Sequence, residues 1–278
     1  MVGQVAGKRD NLAAAHRTRP RLPKYKAIDM ARSLETYDLI SFDCYGTLVD
    51  WESGIVRGLK PLIDRLDKLH PLKDDNIAIL QRYMYHEHRV QKAFPTLKYA
   101  SILSKVYEEL ASEWGLRETI TDDDNESAAF GASIGSWSVF PDTLAALLEL
   151  QKHFKLVILS NVDAESFSKT LAGPLAGFKF DAIYIAEEIG SYKPDLNNFQ
   201  YLVQHCEEDL KVPKEKILHT AYALVHDLVP AHKFGLSTCW IERKPNAMGG
   251  ELSQVQGQLS LDFRFRSMGD MADAICGL

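Results

Sequence analysis

Residues 39–55 read "LISFDCYGTLVDWESGI". Leu39, Ile40 and Phe42 form an apolar run of strand length, Asp43 breaks it, Gly46 offers a turn and Asp50 adds a second acid. A carboxylate at the end of an apolar strand loses hydration, and that loss must be offset by a partner. In an open parallel sheet, ligands bind where strands end. The reading of Asp43 therefore depends on whether the flanking sequence builds such a sheet.

Downstream, strand and helix signals alternate. "KLVILSN" predicts a strand ending at Ser160, "AIYIAEEI" another, and "KILHTAYA" and "LSTCWIE" two more. Between them, helical spacing covers Thr143 to His153, with Asp142 as its cap, then Asp163 to Leu171 and His226 to Phe234. "KPDLNNFQYLVQHC" reads as a helix with Pro194 in its first turn. Strands joined by crossover helices imply a parallel sheet covered on both faces. The stretch from about 56 to 135 carries no strand signal. Trp51–Leu69, Asn76–Gln91 and Tyr99–Trp114 have helical periodicity, and "TDDDNES" at 121–127 reads as a solvated loop or helix start. This stretch is an insertion after the first strand.

Bulk properties narrow the function. The 278 residues are 46% apolar and 25% charged, an ordinary globular balance. No apolar run approaches the roughly 18 residues of a membrane span, and no secretory h-region stands at the start. Cys44, Cys206, Cys239 and Cys276 are widely spaced without a CxxC pair, which argues against structural zinc and for reduced thiols in a cytoplasmic setting. Residues 1–33 carry eight Lys or Arg against Asp10 and Asp29, whereas residues 34–278 carry a net −12. An acidic body argues against nucleic-acid binding. The basic arm reads as a solvated tail, an organelle transit peptide or a helical segment closing on the body, and all three stay open.

The strand ends gather Asp43, Ser160 with Asn161, and the turn from Tyr222 to Asp227, while Lys193 stands just before its helix. Alone, each is ordinary: an Asp caps a helix, Ser-Asn makes a turn, Lys-Pro lies on a surface. Their joint order is informative. "FDCYGTLVD", "VILSN", "SYKPD" and "HDLVPAHKFGLSTCWIER" resemble the haloacid dehalogenase superfamily, and within it the L-2-haloacid dehalogenase branch. The resemblance runs over about residues 36–278. It implies an α/β fold, a Rossmann-like parallel-sheet core (36–55 and 136–278) with an inserted α-helical cap domain (56–135), preceded by a basic extension (1–35).

By that resemblance Asp43 is the nucleophile that forms an aspartyl ester on a substrate carbon. Thr47 orients its carboxylate, Ser160 and Asn161 hold the substrate's carboxylate or leaving group, Lys193 keeps Asp43 ionised, and Asp227 pairs with Lys193 and positions the hydrolytic water. Phosphatases of the superfamily carry a second Asp where this chain has Tyr45, because an alkoxide leaving group needs a proton and a halide does not. They also use Mg²⁺ with additional acids. Tyr45, a wall of the pocket, and the single acid of "AYALVHDL" imply attack on carbon with no cofactor and no metal. Arg82 and Arg89, in "QRYMYHEHRVQ" with Glu87 between them, are both in range for the cap arginine that receives the halide.

Tyr222, Leu224 and Phe199 depart from the family pattern around the last acid and the lysine. Gly249-Gly250 reads as a loop, not a phosphate cradle. His86 and His88, two apart, do not share a helix face and do not suit a shared metal. His219 and His226 read as local hydrogen-bonding residues, and His232 as a helix-surface residue. The expected partner is a small-molecule substrate, with a homodimer as the open assembly. The alternatives are a Mg²⁺-dependent phosphatase of the same fold and a non-enzymatic accessory protein of a biosynthetic pathway.

Overall fold

The computed structural model describes residues 33–94, 97–120, 125–243 and 248–276. The basic arm up to residue 32, residues 121–124 of the acidic run, and the side chain of Cys276 lie outside the described residues.

Six parallel strands form one sheet in the order β3-β2-β1-β4-β5-β6. They are β1 (Leu39–Phe42), β2 (Lys155–Ser160), β3 (Ala182–Ile185), β4 (Ile217–Ala221), β5 (Ser237–Ile241) and β6 (Phe263–Phe265). Side chains alternate along each strand and divide two hydrophobic layers. Ile40, Phe42, Leu156 and Ile158 face one layer, with α6 (Thr143–Leu150), α7 (Ala164–Ala172) and α11 (Met268–Cys276) supplying Leu147, Phe167 and Met271. Leu39, Val157, Leu159 and Ile217 face the other, against Phe199 and Leu202 of α9 (Leu196–Leu210) and Ala231 of α10 (Val229–Phe234). Because both faces are covered, β1 and β4 are buried at every position. The chain lays β2 and β3 on one side of β1 and β4 to β6 on the other, so the sheet's crevice opens at the carboxyl end of β1.

Between β1 and β2 come α1 (Trp51–Gly58), α2 (Lys60–Arg65), α3 (Asn76–Ala93), α4 (Tyr99–Glu113), α5 (Glu126–Ala132) and then α6, with no strand among the described residues there. This matches the helical insertion expected from sequence. No helix among the described residues is long and apolar enough to cross a membrane.

Several local expectations change. The strand expected over "AIYIAEEI" stops at Ile185 and continues as the short helix α8 (Ala186–Ile189). Pro194 precedes its helix: α9 begins at Leu196, capped by the Asp195 carboxylate on Asn197 N. Asp142 occupies the cap position of α6 without capping it, because its carboxylate binds Arg243 and Gly269 N instead. The helix expected from His226 to Phe234 begins inside a π-helical turn, Leu224–Leu228, and becomes α-helical only in α10. β6 and α11 carry no prediction from the sequence.

Candidate active site

Asp43 follows directly on β1, where its N–H still donates to the Thr220 carbonyl of β4 (3.1 Å). The chain then turns sharply: Gly46 N donates to Val49 O (2.7 Å) at φ +107°. A Cβ at Gly46 would stand 2.8 Å from the Tyr222 ring and 3.0 Å from the Trp51 indole nitrogen, so position 46 needs both the left-handed conformation and the missing side chain. The turn brings Thr47 back under Asp43. The Thr47 hydroxyl donates to Asp43 Oδ2 (2.9 Å) and accepts from Tyr222 N (2.9 Å), which fixes its direction. Arg243, after β5, donates to the Thr47 carbonyl and to Asp142, and its guanidinium lies 4.0 Å from the centroid of the Phe140 ring.

Lys193 reaches the same point from the β3 side. Its ammonium donates to Asp43 Oδ1 (2.8 Å), Asp227 Oδ1 (2.5 Å) and the Leu159 carbonyl (2.8 Å). An ammonium has three hydrogens, and all three are used. Asp43, Lys193 and Asp227 are 6%, 3% and 1% exposed, so the cluster is desolvated. The two carboxylates share one cation unequally. Asp227 also faces His219 Nε2 (3.2 Å), whose other nitrogen meets Ser41 Oγ (2.9 Å). Burial opposes ionisation of Asp227 most, but Lys193 and His219 together bring it below the usual carboxylate range. Asp43 goes the other way: burial raises it, and Lys193 and Thr47 offset this only in part. Asp227 Oδ2 accepts no hydrogen bond from the described residues.

Asp43, Lys193 and Asp227 line one cavity of about 640 Å³ together with Tyr45, Ser160 and Asn161. Tyr45 is a wall: its hydroxyl bonds Thr170 Oγ1 (2.8 Å) and its ring stands edge-on to Trp137. Ser160 borders the cavity, and its Oγ is buried with no hydrogen-bond partner among the described residues. Asn161 borders the cavity, but its amide clasps the Lys193 backbone, donating to Lys193 O (2.9 Å) and accepting from Lys193 N (2.7 Å). Thr47 lies beneath the cavity rather than on its lining.

Arg82 and Arg89 are not on the lining, which corrects the expectation for both. On α3 the residues 81, 84, 87 and 91 share one face, and that face lines the cavity. Residues 82, 86 and 89 share the opposite face and meet α4: Arg82 Nε bonds Glu113 Oε1 (2.8 Å), His86 reaches Glu109 (2.6 Å) and Glu113 (2.5 Å), and Arg89 pairs with Glu109 (3.7 Å). His86 therefore bridges the two helices by hydrogen bonds. The charged residue of that stretch on the cavity lining is Glu87. Its Oε1 accepts from the Tyr83 hydroxyl (3.1 Å) and the Tyr99 hydroxyl. Helical phase alone would have separated Glu87 from the two arginines. Trp51, Tyr99, Trp137 and Glu251 also line the cavity and carry no sequence signal of that role.

A family model for haloacid dehalogenase-like hydrolases matches residues 37–220. The (S)-2-haloacid dehalogenase of Pseudomonas sp. (strain YL) is 27% identical over 216 residues, covering 74% of this chain and 83% of that protein. The crystal structure of the L-2-haloacid dehalogenase PA0810 superposes with a TM-score of 0.65 at 24% identity, over 87% of this chain and 100% of that one. The L-2-haloacid dehalogenase from Xanthobacter autotrophicus with chloropropionic acid covalently bound gives 0.66 at 17% identity, over 87% and 99%. At these identities the two structures bear on the fold.

Proposed function

The chain belongs to the haloacid dehalogenase-like hydrolases, and from that premise we propose that it cleaves the carbon–halogen bond of a 2-haloacid or related carboxylate through an ester on Asp43. The observation that carries this reading is the setting of Asp43. One oxygen is held by Lys193 and the other by Thr47, and the group faces a cavity in which position 45 offers a phenol and no acid. An Asp43 oxygen attacks the substrate carbon as the carbon–halogen bond breaks, and the halide leaves with the bonding pair. Water then adds to the Asp43 carbonyl, giving up a proton to the free oxygen of Asp227, and the hydroxy acid departs. Ser160, on the lining beside Asp43, is the residue assigned to the substrate carboxylate in this reading. The named relatives act on, or carry covalently, molecules of this class.

The division into a core and a cap at residues 56–135 is part of this proposal, with the first boundary falling inside α1. A Mg²⁺-dependent phosphatase fits the side chains less well. Tyr45 stands where an acid would assist an alkoxide.

The test is halide release from short 2-haloacids in excess EDTA, beside phosphate release from an aryl phosphate with Mg²⁺. We expect halide from the first, none from the second, and loss of both ester formation and halide release in Asp43→Asn. Phosphate release without halide release would replace this function with the phosphatase.

A further inference from the structure

The cavity beside Asp43 is large for a short haloacid. About 640 Å³ is the size of sites that take drug-sized ligands, so a substrate whose reacting carbon sits over Asp43 extends well beyond it. The charges along the lining indicate what the far end carries. Asp43, Glu87, Asp227 and Glu251 bring four carboxyl groups, and Lys193 is the one Lys or Arg on the described lining. All three Lys193 hydrogens already serve Asp43, Asp227 and Leu159. No lysine or arginine of the described lining is left to receive a second anion.

On the cap side, the two phenols of Tyr83 and Tyr99 both converge on Oε1 of Glu87, leaving Oε2 without a hydrogen bond from the described residues. His226, also on the lining, and His88 act on Glu87 only through space and make no hydrogen bond to it. The remaining surroundings are aromatic: Tyr45, Trp51, Tyr99 and Trp137 border the same space. Rings with a carboxylate among them attract a positive nitrogen, through the negative ring faces and the charge together. Ser160, whose buried Oγ has no hydrogen-bond partner among the described residues, borders the same space.

We propose that the cavity binds the positively charged nitrogen of an extended substrate, with Glu87 and the surrounding rings as its recognition site. This rests on the reading that the cavity beside Asp43 is the substrate site. Burial raises the Glu87 carboxyl above its usual range, which is the state expected of an acid whose cationic partner arrives with the ligand. Glu87 is thereby a specificity-determining residue, occupying the cap face where a cation for the leaving group was expected.

The experiment is a binding comparison without turnover. Choline and its neutral isostere 3,3-dimethylbutan-1-ol are titrated into the full chain, followed by calorimetry and by the emission of Trp51 and Trp137. We expect choline to bind about tenfold more tightly than the isostere. In Glu87→Gln that preference should collapse while the isostere binds unchanged, which also shows that the variant cavity is intact. Tyr99→Phe, which keeps the acid, should retain most of the preference. Equal binding of the two probes, no saturable choline binding, or a preference that survives Glu87→Gln overturns the proposal. Halide release is measured separately: its failure with the choline preference intact removes the chemistry and leaves the cation site, and the converse removes only the cation site.

Discussion

Asp43 and Asp227 share Lys193 and differ in their second partner. Asp227 receives Lys193 and faces His219, whereas Asp43 shares Lys193 and otherwise has the Thr47 hydroxyl. The signs follow. Asp227 lies below its usual range, so it stabilises the folded state above its unfolded pKa, and that contribution is lost as pH falls through its native value. Asp43 lies above its usual range and must be ionised to attack, so activity is lost as pH falls through its own, higher value. The acid limb of halide release should therefore sit above the ordinary aspartate value of 3.8; a pH–rate profile whose acid limb lies at or below it contradicts the assignment. Lys193→Met leaves two buried carboxyls without their cation. We expect a loss on the order of 10⁴ in kcat and, in the residual activity, an acid limb moved further up. The roles of Asp43, Lys193 and Asp227 were suggested by motif order in the sequence, because each stands at a strand end or just before a helix. The partner of His219 was not, since Ser41 is adjacent only through the pairing of β1 with β4.

At the scale of elements, what sequence could show depended on periodicity. The strands β1, β2, β4 and β5 are mostly apolar runs and the helices α3, α4 and α9 have clear periods, and the structure places them close to expectation. β6 is three residues long and half-buried, too short to show a period, and the "AEEI" turn of helix follows its strand without a breaker. On α3 periodicity gives the element, whereas its phase decides the face, and it turns Arg82 and Arg89 toward α4 and away from the cavity. Packing among the inserted helices depends on close approach. A Cβ at Gly131 of α5 would lie 2.4 Å from the Ala100 carbonyl oxygen and 2.3 Å from Ser104 Oγ of α4. Helix propensity alone favours Ala over Gly by about 1 kcal/mol, yet a clash with backbone cannot be relieved by a rotamer. Gly131→Ala should therefore destabilise by about 1–3 kcal/mol, seen as a lower Tm in thermal unfolding. An unchanged or raised Tm would show that α4 and α5 can separate at little cost.

For the molecule as a whole, the alternation of strands and helices in the sequence was enough to indicate the sheet, because parallel strands buried on both faces are continuous apolar runs. The cavity was less legible: its lining is assembled from β-strand ends, α1, α3, α4 and the segment around Gly249, whose joint placement no single window of sequence contains. A Cβ at Gly249 would come within 2.5 Å of the Tyr222 ring, so the loop expected there is a packed wall. The central claim about this assembly is that its core supplies a nucleophile and not merely a base. Multiple turnovers of a short 2-haloacid in H₂¹⁸O, followed by mass spectrometry of the peptide containing Asp43, test it most directly. If water cleaves an ester at the Asp43 carbonyl, ¹⁸O enters the Asp43 side chain and the product of a single turnover is unlabelled. Label in the product from the first turnover, with none in Asp43, would mean that water attacks the substrate carbon itself and would contradict the account.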